Sequence, residues 1–138
     1  MKTLIKNAAV YDPKNNLNEK LDILIEGKTI IEINENIKDQ GYKLIDAEGK
    51  IVIPALIDMH VHLREPGYEE KETVKTGCEA AAAGGFSAVA AMPNTNPVAD
   101  NPAVVEHLNL KSKEALVKVY PIGSITQGSE GKKLSEIG

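Results

Sequence analysis

The stretch from Pro54 to Gly67 constrains the fold most, because two kinds of side chain alternate along it. The even positions hold a carboxylate, two imidazoles and a guanidinium: Asp58, His60, His62 and Arg64. The odd positions are aliphatic: Ile57, Met59, Val61 and Leu63. Since alternate side chains of a β-strand face opposite sides, the pattern predicts a strand with one aliphatic and one chemically specialised face. We expect a parallel strand buried on both sides, with helices against its aliphatic face and a site against its polar face.

After this strand, the pattern alternates between helix and strand, which indicates a parallel sheet. We predict a helix at 69–83, a strand at 86–92, a second helix from Pro102 onward and a strand at 116–120. Asp100 or Asn101 is the expected cap of the second helix. Beyond these elements we predict a flexible loop at 123–131 and then the start of a third helix at 132–137.

Residues 1–53 are predicted to form short strands joined by turns. Two β-branched runs flank Gly27-Lys28, which predicts a tight hairpin. A second turn at 47–50 precedes a short strand at 51–53. Taken alone, this part of the chain indicates a small all-β domain with no chemistry of its own.

The two histidines are the first candidates for chemistry. Side chains two apart on one strand face can both reach a single ion, and imidazole suits zinc and similar metals. His-x-His alone is also compatible with a pair of hydrogen-bonded polar residues. Asp58 lies one step deeper, so we interpret it as an orienter of an imidazole or as a structural hydrogen-bond acceptor.

Arg64 and Asn94 are the other candidates. In parallel barrels the active site lies at the C-terminal ends of the strands, where Arg64 follows the first strand and Asn94 the second. A guanidinium binds a planar carboxylate through two parallel hydrogen bonds. The alternatives are a surface salt bridge of Arg64 with Glu65 and a turn role for Asn94 between two prolines.

Composition excludes some classes of protein. The net charge of −4 argues against a nucleic-acid surface, and no apolar run approaches the ~20 residues of a membrane span. The single cysteine, Cys78, excludes an internal disulfide and fits a reducing compartment. We therefore expect a cytoplasmic protein with neither nucleic acid nor membrane as a partner.

Three segments together resemble the dihydroorotases, which are cyclic amidohydrolases of pyrimidine biosynthesis. The first is similar to their metal-binding signature: Asp58-x-His60-x-His62-x-Arg64-Glu65-Pro66-Gly67. The others follow in the family's order and at the expected separation: AAGGFS at 82–87 and MPNTNP at 92–97. The resemblance extends over essentially the whole chain and fits the bacterial type I branch.

The resemblance implies an α/β fold, namely the first βα units of a TIM-like (β/α)8 metal-dependent hydrolase barrel after a small β-sandwich part. We assign residues 1–53 to the sandwich and residues 54–138 to the incomplete barrel. At about 31 residues per βα unit, the second segment holds fewer than three of eight units. We therefore expect the N-terminal portion of a longer enzyme, inactive when isolated.

The implied activity is zinc-dependent, reversible hydrolysis of (S)-dihydroorotate to N-carbamoyl-L-aspartate, a step of de novo UMP synthesis. By the resemblance, His60 and His62 bind one or two zinc ions, and His62, Arg64 and Asn94 bind the substrate. The acid/base aspartate is expected beyond residue 138, so no catalytic residue is assigned within this chain. The implied partners are the small-molecule substrate and either a homo-oligomer or aspartate transcarbamoylase.

Two alternatives stay open. The chain resembles hydantoinases and allantoinases at His-x-His, but Arg64 and the Pro-Asn-Thr segment speak against these relatives. A non-catalytic scaffold for aspartate transcarbamoylase would be free to lose its site residues. This chain retains all four candidate site residues, His60, His62, Arg64 and Asn94, which makes the scaffold the weaker hypothesis.

Overall fold

The computed structural model describes residues 1–137, which form two compact units. The first unit is Met1–Pro54 and the second begins at Ala55. In the described residues, neither α-helix is long and apolar enough to span a bilayer.

The first unit is a five-stranded sheet. Its strands are β1 (Lys2–Asp12), β2 (Leu17–Glu26), β3 (Thr29–Asn34), β4 (Lys43–Asp46) and β5 (Ile51–Val52). The strand order is β3-β2-β1-β4, and β5 also pairs with β1. β2 runs antiparallel to both β1 and β3, whereas β4 and β5 run parallel to β1. The predicted hairpin is confirmed, with Gly27 in a left-handed conformation between β2 and β3.

A buried carboxylate stabilises this sheet. Asp22 is only 2% exposed. One of its oxygens accepts the backbone N–H of Asn7 at 2.9 Å, and the other accepts that of Ile37 at 3.0 Å and lies 3.3 Å from Lys6 Nζ. Asn7 lies at a bulge of β1 with φ +62°. Burial raises the pKa of Asp22, but these three donors outweigh burial and lower it.

The second unit alternates strands with helices, as predicted. Its elements are β6 (Leu56–Val61), α1 (Val74–Ala83), β7 (Phe86–Ala91), α2 (Pro102–Ser112) and β8 (Lys118–Pro121). The strands form a parallel sheet in the order β6-β7-β8. The helices bury an aliphatic core with it that includes Leu63, Val74, Cys78, Val89 and Leu108.

The helix boundaries differ from the prediction in two places. α1 begins at Val74 rather than at residue 69, because Thr73 and Thr76 form a reciprocal capping box there. Residues 132–137 form no helix, since their backbone pairs with the preceding loop: Gln127 N–H donates to Lys133 O and Ser135 N–H to Ile125 O. The start of α2 is confirmed, with Asn101 as its cap.

The expectation that β6 is buried on both sides is wrong for the described residues. β6 is an edge strand whose one neighbour in this sheet is β7. Ile57 is 63% exposed and Met59 78% exposed. The aliphatic character of these positions therefore does not correspond to packing within residues 1–137.

We expect Asp22→Asn to lower the free energy of unfolding by about 2 kcal/mol, because an amide leaves one buried N–H without an acceptor. The matched control is Glu19→Gln, an exposed residue of the same strand. Urea unfolding measures both. A change no larger than that of the control would contradict the structural role of Asp22.

The same carboxylate makes stability depend on pH. Its folded pKa lies below the unfolded value of about 3.9, so its contribution is present above that pH and lost as the pH falls through the folded pKa. Between about pH 5 and about pH 3, the wild-type protein should therefore lose more stability than the Asp22→Asn variant.

Candidate functional site

The predicted site residues lie at the C-terminal ends of β6 and β7. His62 follows β6, and Asn94 follows β7. His62 Nδ1 and Asn94 Oδ1 are hydrogen-bonded at 2.7 Å although 32 positions separate them. The parallel sheet thus joins two of the predicted residues directly.

The two histidine rings also lie side by side. Their centroids are 5.3 Å apart, and the ring planes meet at 71°. His62 is half-buried and His60 is exposed. The arrangement leaves both imidazoles at one edge of the sheet.

The hydrogen bond to Asn94 selects a tautomer of His62. Because an amide oxygen only accepts, the bond to Asn94 Oδ1 requires the proton on Nδ1. The lone pair is then on Nε2, the atom that a metal would bind. Asn94 keeps its amide NH2 as a donor for another group.

The strict alternation predicted for this strand is interrupted between Asp58 and Val61. Asp58 pairs with Val89 and Val61 with Ala91, and the register shifts between the two pairs. Asp58, Val61 and His62 all line the cavity beneath α1. The Asp58 carboxylate accepts the backbone N–H of His60 at 3.0 Å, so it orients the His60 backbone and not an imidazole ring.

Arg64 has an unusual backbone conformation. Its φ is +63°, in the left-handed region, and its side chain is half-buried. In the part of the chain that the structure describes, no carboxylate is within ion-pair distance of Arg64. The alternative of a salt bridge with Glu65 is wrong here, because Glu65 pairs with Lys111 at 2.9 Å.

The loops after β6 and β7 contact each other through backbone atoms, and no local sequence pattern predicts this contact. Asn96 N–H donates to Pro66 O at 2.9 Å. Gly67 has φ +95°, and a Cβ there would collide with the carbonyl oxygen of Asn96. The Pro66-Gly67 pair indicated a turn, but nothing in the sequence indicated which segment packs against that turn.

The donor set fits part of a zinc site. Two imidazoles suit zinc, and a catalytic zinc takes about three protein ligands. Within residues 1–137, three or more His, Cys, Asp or Glu side chains nowhere gather so as to hold a metal ion. His60 and His62 would therefore supply two ligands, and at least one more would come from outside these residues.

We expect Gly67→Ala to lower the free energy of unfolding by about 2 kcal/mol more than Gly85→Ala does. Both glycines have positive φ, but a Cβ at Gly85 meets nothing within 4 Å. Comparing the two variants separates the effect of the steric collision from that of backbone strain. Chemical denaturation measures the free energy of unfolding of each variant. Equal losses would contradict the close contact between Gly67 and Asn96.

Comparison with known proteins identifies relatives of the whole chain. It is 53% identical to the dihydroorotase of Geobacter metallireducens and 50% identical to that of Pelotomaculum thermopropionicum. Each alignment covers 100% of this chain, but only 33% and 32% of those proteins. The chain thus spans about a third of the length of the curated relatives it matches.

Solved structures are similar in fold. The dihydropyrimidinase from Brevibacillus agri matches with a TM-score of 0.76 and 25% identity, over 91% of this chain and 28% of that one. A D-hydantoinase from Thermus sp. matches with a TM-score of 0.72 and 30% identity, over 90% and 28%. The sequence model of the dihydro-orotase-like family matches residues 49–138. The chain therefore belongs to the dihydroorotase-like family of cyclic amidohydrolases.

Proposed function

We propose that this protein is a zinc-dependent dihydroorotase, which reversibly hydrolyses (S)-dihydroorotate to N-carbamoyl-L-aspartate in pyrimidine biosynthesis. The observation that supports it most is the hydrogen bond between His62 and Asn94. It joins the candidate metal strand to the candidate carboxylate-binding loop. Dihydroorotate needs both features, because its ring amide is hydrolysed beside a carboxylate substituent.

His60 and His62 would hold the zinc ion. When bound there, zinc would supply Lewis-acid chemistry, which activates water and polarises an amide carbonyl. Asn94 fixes the tautomer of His62, so that Nε2 is free. Asp58 fixes the backbone of His60 through its N–H.

Arg64 and Asn94 would bind the substrate carboxylate. The guanidinium of Arg64 can donate two parallel hydrogen bonds and has no carboxylate partner in the described residues. Asn94 accepts from His62 with its oxygen, which leaves its NH2 group for the same carboxylate. One amide would thus contact a metal ligand and the substrate together.

We further propose that β6, β7 and β8 are the first strands of a (β/α)8 barrel, and that the first unit contributes to a β-sandwich. The exposed Ile57 and Met59 support this, since further parallel strands and their side chains would cover them. The 33% coverage of the relatives is consistent with the same proposal. We also propose that the protein assembles as a homo-oligomer or with aspartate transcarbamoylase. The acid/base aspartate would lie outside this chain.

A second candidate is another cyclic amidohydrolase, since a dihydropyrimidinase and a D-hydantoinase have similar folds. The ring substrates that these names indicate differ from dihydroorotate by lacking its ring carboxylate. Arg64 and Asn94 together favour a substrate with that carboxylate. A substrate comparison therefore separates the two candidates.

We expect the protein expressed from its complete reading frame to hydrolyse dihydroorotate at least about 100-fold faster than dihydrouracil or hydantoin, in kcat/KM. Arg64→Met should lower kcat/KM for dihydroorotate about 100-fold, because two charge-assisted hydrogen bonds are lost. Lys75→Met, which removes an exposed cation of α1, is the control. A preference for either ring without a carboxylate would favour the second candidate.

We expect His60→Asn and His62→Asn each to reduce the zinc retained after dialysis and to abolish turnover. The control is His107→Asn, because His107 is an exposed residue of α2. Elemental analysis of the dialysed protein measures zinc directly. Full zinc occupancy in either variant would remove that histidine from the ligand set.

A further inference from the structure

Glu65 is a buried carboxylate that the proposed function does not use. It is 6% exposed and directly follows Arg64. One oxygen accepts the N–H of Val74, the first residue of α1, at 2.8 Å. The other lies 2.9 Å from the Nζ of Lys111, in the last turn of α2. One side chain therefore ties the loop after β6 to both helices.

These contacts hold a backbone conformation that is unfavourable on its own. Arg64 is the middle residue of a three-residue turn, closed by Glu65 N–H to Leu63 O at 2.7 Å. A non-glycine residue with left-handed φ costs about 1–2 kcal/mol and persists where its surroundings fix it. Here both neighbours are buried, Leu63 in the apolar core and Glu65 between the helices. Arg64 is thus held from both sides.

The same segment contacts the loop that presents Asn94. Tyr68 N–H donates to Arg64 O at 3.1 Å, and Asn96 N–H donates to Pro66 O at 2.9 Å. A displacement of residues 64–68 would therefore also shift the segment around Asn94. The contacts of Glu65 are linked in this way to both candidate carboxylate-binding residues.

The charge state of Glu65 suits a fixed anchor. Burial raises the pKa of its carboxyl, but the hydrogen bonds from Lys111 and from Val74 outweigh burial and lower it. The hydrogen bond to Glu65 raises the pKa of Lys111. Both groups are therefore charged near neutral pH.

We propose that Glu65 is a positioning residue, whose buried carboxylate holds Arg64 and, through Pro66, the Asn94 loop in the geometry that binds the substrate carboxylate. This inference rests on the proposed function. Glu65 itself touches no substrate atom. It acts on substrate binding through the backbone of its neighbours.

The test compares Glu65→Gln with Glu114→Gln in the protein expressed from its complete reading frame. Glu114 is an exposed carboxylate just after α2, and it forms no ion pair in the described part of the chain. We expect Glu65→Gln to raise KM for dihydroorotate about tenfold and to leave kcat within about twofold, because ground-state and transition-state binding are lost equally. Hydrogen exchange at the amides of Tyr68 and Asn96 should become faster in this variant alone.

An unchanged KM in a folded Glu65→Gln variant overturns the proposal, even if the melting temperature falls, because Glu65 would then be structural only. If the wild-type protein does not turn over dihydroorotate, the proposed function fails. Hydrogen exchange alone then tests whether Glu65 positions the two loops. Faster exchange confined to residues 64–68 and 94–96 then supports positioning, and unchanged exchange overturns it. If Glu65→Gln does not fold, Lys111→Gln, at an exposed position, is judged by the same criteria.

Discussion

Parallel pairing of β6 with β7 is the constraint on which the candidate site depends. It brings the C-terminal ends of two strands to one edge, although an entire helix separates them in sequence. The hydrogen bond between His62 and Asn94 forms at that edge. The apolar core formed by α1 and α2 fixes the pairing, because Val89 and Ala91 of β7 lie in the same cluster as Val74 and Leu108 of the helices. The chemistry of the edge thus rests on aliphatic packing on one face of the sheet.

Sequence patterns predicted which helices and strands form better than they predicted where these elements begin and end. The hairpin at Gly27 and the start of α2 at Pro102 follow from residues that are adjacent in the chain, so local rules were sufficient. The start of α1 was predicted at residue 69, because the acids Glu69, Glu70 and Glu72 resemble a first turn, whereas the Thr73–Thr76 capping box sets the true start at Val74. Residues 132–137 have helix-forming composition, but their backbone groups pair with an earlier loop. That pairing is tertiary, so no local pattern indicates it.

For the candidate site, the sequence predicted that His62 and Asn94 lie close together, but it did not predict how the loops that carry them are held. The proximity of His62 to Asn94 followed from the strand ends alone. Two features did not follow, the bulge between Asp58 and Val61 and the partner of Glu65. A bulge depends on how the neighbouring strand pairs, and the burial of a charge depends on a cation far along the chain. Residue identities locate a site of this kind, while its support comes from contacts between distant segments.

The contact between Gly67 and the Asn96 carbonyl has a consequence for the way these loops change. A side chain at position 67 has no room beside the Asn96 carbonyl, so a substitution there requires the loop after β7 to adjust. Attempts to transplant the Asn94 loop into a related protein should therefore move residues 64–68 with it. The two segments would have to be exchanged together, although they are distant from each other in the sequence.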